Sequence, residues 1–446
     1  MFDYSPERLN EIAADVLAEA RRIGATDAAV DVSESSGLSV NVRMGDVETI
    51  EQTRDKGVGV TVYVGKRKGH ASTSDFSPKA LRDAVDAAWQ IARHTGEDDC
   101  AGLPDPDALV RRIEDFDLFH PWDLDVEGAI ALAKRVERAC FDTSPLVRNS
   151  EGASVNVSHG HFVAANSLGF RGGYPYSRHS IGCAPIAERD GAMQRDDWYT
   201  TSAVPARLAE PEGLGRYAAE RALSRLGARR LSTRRVPVLF EAPLACGLLG
   251  HLVQAASGGA LYRRASFLVD ALGRDVLAPH VDVMEDPFLP TELGSASFDS
   301  EGVATARRAV VRAGRLEGYF LSTYSARKLG MKTTGNAGGS HNLALSSRLT
   351  RQLDDLPAML RRLGTGLFVT DLMGQGVNYV TGDYSRGASG FWVENGEIRH
   401  PVEEITIAST LQQMLRGIVA VGSDVIVRGS KRCGSVLIDE MAVAGA

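Results

Sequence analysis

The chain has 446 residues, of which 43% are hydrophobic and 24% charged, and its formal net charge is -7 at pH 7. These values predict a globular protein of two or three domains. The acidic balance argues against direct nucleic-acid contact, which usually requires a basic surplus. Five scattered cysteines without a CxxC pair are typical of a reduced, cytoplasmic protein. The apolar runs are too short to span a bilayer, so we expect no membrane contact.

The first hundred residues predict a helix, three strands and a second helix. Ser5 and Pro6 are suited to the N-cap and first position of a helix that ends at about Arg22. The segments AAVDVSES, GLSVNVRMGDVETIEQT and GVGVTVYVGKRKGHASTS alternate apolar and polar residues, which predicts an antiparallel meander. Ser77 and Pro78 begin the next helix, to about His94. This order indicates an α+β fold rather than repeated βαβ units.

The middle of the chain repeats this order. Residues 102–123 carry three prolines and predict a connection, and a helix follows from about Val126 to Phe141. GLSVNV (residues 37–42) and GASVNV (residues 152–157) each open a series of strands followed by a helix. A duplicated unit and a chance similarity of six residues both remain open.

A third region begins near Ser232 and is rich in glycine, strands and turns. The segments RAGRLEGYFLSTYS and GFWVENGEIRHPVEEITIAS predict hairpins, and Asn395-Gly396 favours a type I′ turn. We therefore predict three domains: an α+β domain over 1–110, an α+β domain over 111–232, and a β-rich domain over 233–446.

The segment LACGLLGHLVQ predicts an apolar helix with two chemically active members, Cys246 and His251. Residues five apart on an α-helix are about 140° out of phase, so the two would face one cavity only across a π-type turn. A metalloprotease helix also needs a carboxylate to deprotonate water, and Gly247 follows Cys246. Packing is the favoured interpretation, and a Cys–His hydrolase is the alternative.

Other candidates carry weaker signals. His159 and His161 share one face of a predicted strand, where a polar face is favoured over a metal site. His341 lies in the loop TTGNAGGSHN, which either directs backbone N–H groups toward a ligand or is a plain mobile loop. An arginine cluster predicts a solvated interdomain connection; its members are Arg225, Arg229, Arg230, Arg234 and Arg235.

Three segments of the last region resemble one family. They are YSARKLGMKTTGNAGG (residues 324–339), GDYSRGASGFWVENGEI (residues 382–398) and PVEEITIAS (residues 401–409). They resemble the PmbA/TldE branch of the TldD/PmbA family, also called modulators of DNA gyrase. The resemblance implies a cytosolic protease of two related subunits that acts on unfolded or extended peptides, in peptide-antibiotic leader trimming and antitoxin degradation. The TldD-type subunit carries zinc on a helix with the motif HExxxH.

Compared with HExxxH, this chain keeps the spacing and His251 but has Cys246 and Gly247 in place of the first histidine and the glutamate. The resemblance therefore implies a non-catalytic subunit, with no metal or cofactor of its own, that completes the chamber and binds peptide. The substrate-binding candidates are His341, Asn336, Tyr384 and Arg386. An independent hydrolase using Cys246 and His251 and a gyrase-associated binding protein are the alternatives. A heterodimer with the TldD-type subunit is expected, and the isolated chain is a candidate homodimer.

Overall fold

The computed structural model describes residues 2–445 and is a mixed α+β protein, as predicted. Ser5 and Ser77 cap the first two helices by accepting hydrogen bonds from the backbone N–H groups of Arg8 and Ala80, which confirms both predicted starts. Within the described residues the α-helices are α1 Pro6–Arg22, α2 Pro78–His94, α3 Val126–Thr143, α4 Pro211–Ser224, α5 Ala242–Ala255, α6 Gly258–Tyr262, α7 Thr323–Lys328, α8 Leu356–Leu363 and α9 Leu411–Arg416.

The predicted meanders form one antiparallel sheet. Its spatial order is β3-β2-β1-β4-β6-β7, with β5 paired to β4 and β8 paired to β6. The sheet runs through both of the first two predicted domains, and the three-part division of the chain stays a prediction. The strands are β1 Asp27–Arg43, β2 Asp46–Val64, β3 Arg67–Thr73, β4 Val147–Asn166, β5 Arg171–Gly172, β6 Pro175–Arg189, β7 Ala192–Arg195 and β8 Trp198–Ser202.

The two similar hexapeptides lie side by side at the centre of this sheet. β1 and β4 pair antiparallel so that Val40 lies opposite Val155, and these are equivalent positions of GLSVNV and GASVNV. Helices α1 and α3 each pack on both β1 and β4. Each half has the order helix, strands, helix. This arrangement about a local pseudo-two-fold axis supports the duplicated unit.

The last region contains two further sheets. One has the order β16-β15-β14-β9-β20-β17, and a direct pairing of β16 with β20 closes five of its strands into a ring; the other has the order β12-β11-β10-β13-β19-β18. The strands are β9 Arg234–Phe240, β10 Val281–Glu285, β11 Arg308–Arg312, β12 Arg315–Leu316, β13 Leu343–Ser347, β14 Gly366–Met373, β15 Asp383–Glu394, β16 Glu397–Thr410, β17 Ile418–Val421, β18 Ile426–Arg428, β19 Lys431–Cys433 and β20 Val436–Ala444.

The hairpin predictions for this region have different outcomes. Asn395 and Gly396 have φ values of 54° and 78° between β15 and β16, as the predicted turn requires. The hairpin predicted for RAGRLEGYFLSTYS is limited to β11 and β12. The rest of that segment is irregular and leads into α7, so this part of the prediction is wrong.

Helix α5 lies in the main core of the C-terminal region. Leu248, Leu249 and Leu252 are at most 3% exposed and pack with residues of both sheets. The core thereby fixes the orientation of α5. None of the helices between residues 2 and 445 combines the length and the apolarity that a membrane crossing requires.

Candidate functional site on helix α5

Cys246 and His251 lie on different sides of α5, which is a regular α-helix over its whole length. The Cys246 sulfur lies 3.8 Å from the carbonyl oxygen of Ile426 and 3.7 Å from that of Lys431. His251 instead places Nδ1 2.9 Å from the hydroxyl of Tyr379. No π-type turn brings the two side chains to one cavity, and they contact different groups.

On one side of the helix, His251 belongs to a group that we call the His251 cluster: His251, Tyr379, Tyr384 and Arg386. The rings of His251 and Tyr384 meet edge to face with centroids 5.8 Å apart. Burial, together with the positive charge of Arg386, lowers the pKa of His251 to about 4. Burial raises the pKa of Tyr384 to about 12. His251 is therefore neutral at pH 7, which suits a packing role.

Two of the predicted substrate-binding residues are members of the His251 cluster. Tyr384 is 1% exposed, so its ring is enclosed by protein and does not line a surface groove. Arg386 donates from Nη2 to the carbonyl oxygen of Leu372 at 3.3 Å. Residues of the C-terminal core cover the Tyr384 side chain in this structure, and substrate binding by Tyr384 and Arg386 stays a prediction.

On the other side of the helix, Cys246 lines a cavity of about 400 Å³ that we call the Cys246 pocket. Its walls come from β8, α4, α5, β14 and the β18–β19 hairpin; the lining side chains used below are Trp198, Tyr199, Thr370, Arg428 and Lys431. The Arg428 guanidinium lies 4.5 Å from the ring centre of Trp198 and 4.1 Å from that of Tyr199. Burial raises the pKa of the Cys246 thiol to about 11, so the thiol is protonated at neutral pH.

A network of ion pairs encloses one end of the Cys246 pocket. Arg221 donates to both carboxylate oxygens of Glu241, at 2.5 and 3.0 Å. Arg225 bridges Asp196 at 3.6 Å and Asp371 at 3.2 Å. Arg225 is only 9% exposed, so its prediction as part of a solvated connection is wrong. Asp196 and Asp371, one from each side of the boundary, hold it in place.

The other two predicted substrate-binding residues lie near a groove of about 540 Å³, which we call the glycine-loop groove. His341 lines it beside Gly338 and Gly339. The backbone N–H of His341 donates to Glu285 Oε1 at 2.8 Å. That N–H group therefore does not point toward a ligand.

Asn336 is 5% exposed beneath the same loop. Its amide nitrogen donates to Glu285 Oε1 at 2.9 Å, and its amide oxygen accepts from Arg308 Nη2 at 3.0 Å. These bonds occupy both ends of the side-chain amide. Asn336 shapes the loop from inside the protein, and substrate binding by Asn336 and His341 stays a prediction.

Comparison with known proteins identifies the family. Models for a PmbA/TldA metallopeptidase match residues 28–92 as domain 1, residues 119–226 as the central domain and residues 233–445 as the C-terminal domain. The chain belongs to the PmbA/TldD metallopeptidase family, as its three motifs predicted.

Individual relatives agree with this assignment. The chain is 48% identical to metalloprotease PmbA of Escherichia coli O157:H7, over 95% of this chain and 93% of that protein. A PmbA homologue of Haemophilus influenzae is 46% identical over 96% of this chain and 94% of that protein. A crystal structure described as a modulator of DNA gyrase, from Bacteroides thetaiotaomicron, has a TM-score of 0.93 at 26% identity and covers 99% of this chain and 100% of its own. TldE from Thermococcus kodakarensis shares the fold, with a TM-score of 0.85 at 17% identity over 97% of this chain and 100% of its own.

The family description implies a metal, and the residues on α5 do not fit one. Cys246 and His251 face different surroundings, and the charged groups nearest to Cys246 are the cations Arg428 and Lys431. Positive side chains oppose the binding of a metal cation. Among residues 2–445, no three His, Cys, Asp or Glu side chains are grouped so that they would hold a metal ion.

Proposed function

We propose that this chain is the non-catalytic, PmbA/TldE-type subunit of a cytoplasmic zinc peptidase, whose zinc is supplied by a TldD-type partner. The observation that carries the proposal is the geometry of α5, where Cys246 and His251 lie on different sides of the helix and contact different groups. Gly247 stands where the resemblance places the general base, and loss of such a base typically costs about 10²–10⁴-fold in rate. In this proposal the chain completes the reaction chamber and holds the peptide.

Strand addition is the binding mode that we propose for extended or unfolded peptides, because backbone pairing tolerates many sequences. The edge of β2 is suited to it. In the described part of the chain, β3 pairs with β2 only over Val58–Val64, whereas β1 pairs with β2 from Asp46 onward. Along the segment 46–57, the backbone N–H and C=O groups on the side away from β1 therefore have no strand partner among the described residues. Peptide-antibiotic leaders and unfolded antitoxins are the substrate types that the resemblance suggests.

Co-expression with the TldD-type subunit tests the assembly and its division of labour. We expect a stable heterodimer that cleaves an unfolded peptide, whereas this chain alone is inactive and contains no stoichiometric zinc by elemental analysis. Cys246→Ser in this chain should leave cleavage within about twofold, while removal of the partner's motif glutamate should reduce it by at least about 10²-fold. Zinc-dependent cleavage that proceeds equally well without this chain would contradict the proposal.

The same experiment addresses the alternatives. An independent Cys–His hydrolase requires the thiol and imidazole to lie within hydrogen-bond reach, and the separate contacts of Cys246 and His251 do not favour it. Cleavage by this chain alone that disappears in Cys246→Ser would support that alternative. The gyrase-associated role is said of a structural relative, and the net charge of -7 does not favour direct contact with DNA.

A further inference from the structure

We propose that the Cys246 pocket binds a carboxylate through Arg428 and Lys431, provided either by the C-terminus of a peptide or by a small organic acid. This inference goes beyond the proposed function, because it concerns a site within this chain and requires no partner subunit. Four features of the pocket support it: its unpaired cations, a buried hydroxyl without a partner, its aromatic wall, and the two glycines of α5 that line it.

The first feature is an imbalance in ion pairing. Each carboxylate that lines the pocket has an arginine nearby: Asp196 and Glu241 pair with Arg221, Asp197 with Arg195, and Asp371 with Arg225. Across residues 2–445, by contrast, neither Arg428 nor Lys431 has a carboxylate oxygen within 4.0 Å. Burial lowers the pKa of Arg428, because the loss of water outweighs the charges of Asp197 and Glu241, which raise it. An anion in the pocket would supply the missing partner.

The second feature is Thr370, which lines the same cavity. It is 8% exposed, and its Oγ1 has no hydrogen-bond partner among the described residues. Buried hydroxyl groups are normally hydrogen-bonded, so an unpaired hydroxyl on a residue beside a cavity indicates a missing acceptor or donor. A carboxylate oxygen is an acceptor for this hydroxyl.

The third feature is the fixed position of Arg428. Trp198 and Tyr199 stack against its guanidinium, and Nη1 donates to the carbonyl oxygen of Tyr199 at 2.9 Å. A planar guanidinium that is already held in place loses little side-chain freedom when it binds a planar carboxylate. Arg428 is therefore arranged for binding before a ligand arrives.

The fourth feature is the pair Gly247 and Gly250 on α5, both of which line the pocket. Glycine is unfavourable inside a helix, so its presence needs a reason. A Cβ on Gly247 would meet no atom within 4 Å, and one on Gly250 would meet only Lys431 Cε at 3.8 Å. Helix packing does not require either glycine. Their effect is to keep open the side of the cavity next to Lys431.

The charge of the pocket favours a monoanion. Asp197 and Asp371 also line the cavity, and each has an arginine partner of its own. Their negative charge opposes a doubly charged phosphate more strongly than a singly charged carboxylate. The two cations and the Thr370 hydroxyl are hydrogen-bond donors, and the two oxygens of one carboxylate are acceptors.

Calorimetric titration of the full chain at low ionic strength tests the ligand chemistry. The probes are N-acetyl-trialanine, its C-terminal amide, and acetate. We expect the free acid to bind at least about tenfold more tightly than the amide, because only the acid forms charge-assisted hydrogen bonds. Equal affinity for acid and amide, or no binding of either carboxylate, would overturn the proposal. If acetate matches the peptide acid, the pocket takes small acids; tighter binding of the peptide indicates a peptide C-terminus.

Matched variants test the site. Lys431→Ala and Arg428→Gln should each weaken binding of the acid by at least about tenfold, since each removes one charged donor. Lys332→Ala, an exposed lysine outside the pocket, should leave binding unchanged. Gly247→Ala should weaken binding without lowering the thermal midpoint, because the new methyl group occupies the cavity and clashes with nothing. Unchanged affinity in Lys431→Ala and in Gly247→Ala would refute this assignment even if Arg428→Gln fails to fold.

Discussion

Single side chains on α5 determine what this chain retains of a metalloprotease helix. His251 is still present, but Tyr379 and Tyr384 surround it and Arg386 lies near it. The sequence predicted that Cys246 and His251, five residues apart, would face different sides of the helix, because the angle between two residues of a regular helix depends on local geometry alone. It did not predict Tyr384 as a packing partner, because that contact joins residues distant in the chain. Because His251 is buried and neutral, the stability of the folded protein should depend on pH.

The pH dependence of folding should report this state. The unfolded chain binds a proton at His251 near the ordinary value of 6.5, whereas the folded chain does so only near pH 4. Unfolding therefore takes up a proton between these values, and stability present above pH 6.5 is lost as the pH falls toward 4. The loss is on the order of 2–3 kcal/mol. Denaturant unfolding at pH 7 and 4.5 measures it.

The matched comparison uses two histidine variants. His251→Gln cannot be protonated and should show a smaller loss of stability on acidification than the parent chain, whereas the exposed His94→Gln should behave like the parent. An identical acid-induced loss in the parent and in His251→Gln would show that His251 does not contribute.

Elements with strong local signals were predictable, and elements defined by distant partners were not. Helices α1 and α2 begin at serine caps followed by proline, and both patterns are local. The segment after β12 alternates like a strand, but the backbone of Phe320 donates to Ala256 and accepts from Gly258 instead of forming a hairpin. A capping box between Ser322 and Ser325 then begins α7.

Helix glycines provide a test of packing at the scale of elements. A Cβ on Gly215 of α4 would lie 2.2 Å from the carbonyl oxygen of Val136 in α3, so the two helices approach closely there. Gly215→Ala should therefore destabilise the protein by about 1–3 kcal/mol through overpacking. Gly247→Ala, with open space around its Cβ, should instead stabilise α5 by up to about 1 kcal/mol. Thermal unfolding of both variants measures the contrast, and equal shifts of the same sign would contradict this account of α3 and α4.

At the scale of the whole molecule, the fold class was predictable and the pocket was not. The alternating strands predicted antiparallel meanders, whereas the repeat of GLSVNV as GASVNV left a duplicated unit open until β1 and β4, which carry the hexapeptides, were seen to pair. The Cys246 pocket combines residues from Asp196 to Lys431, which only the tertiary fold brings together. The one local signal of the pocket was the pair of helix glycines, Gly247 and Gly250. The ion pairs beside the pocket join the two large parts of the chain.

Arg225 should couple these parts energetically. It lies before the boundary near Ser232 and contacts Asp371 at 3.2 Å, and its side chain is 11% exposed while that of Asp371 is 39% exposed. Arg225→Ala removes the partner of the Asp196 and Asp371 carboxylates and should lower the free energy of unfolding by about 2–4 kcal/mol. This is less than the loss for a fully buried pair, because water reaches Asp371. A double-mutant cycle with Asp371→Asn should give a coupling energy above about 1 kcal/mol. The exposed pair Arg235–Glu440, at 2.7 Å with side chains 60% and 52% exposed, serves as the control and should give less than about 0.5 kcal/mol. Equal coupling in the two cycles would mean that the Arg225–Asp371 pair contributes no more to stability than an exposed ion pair.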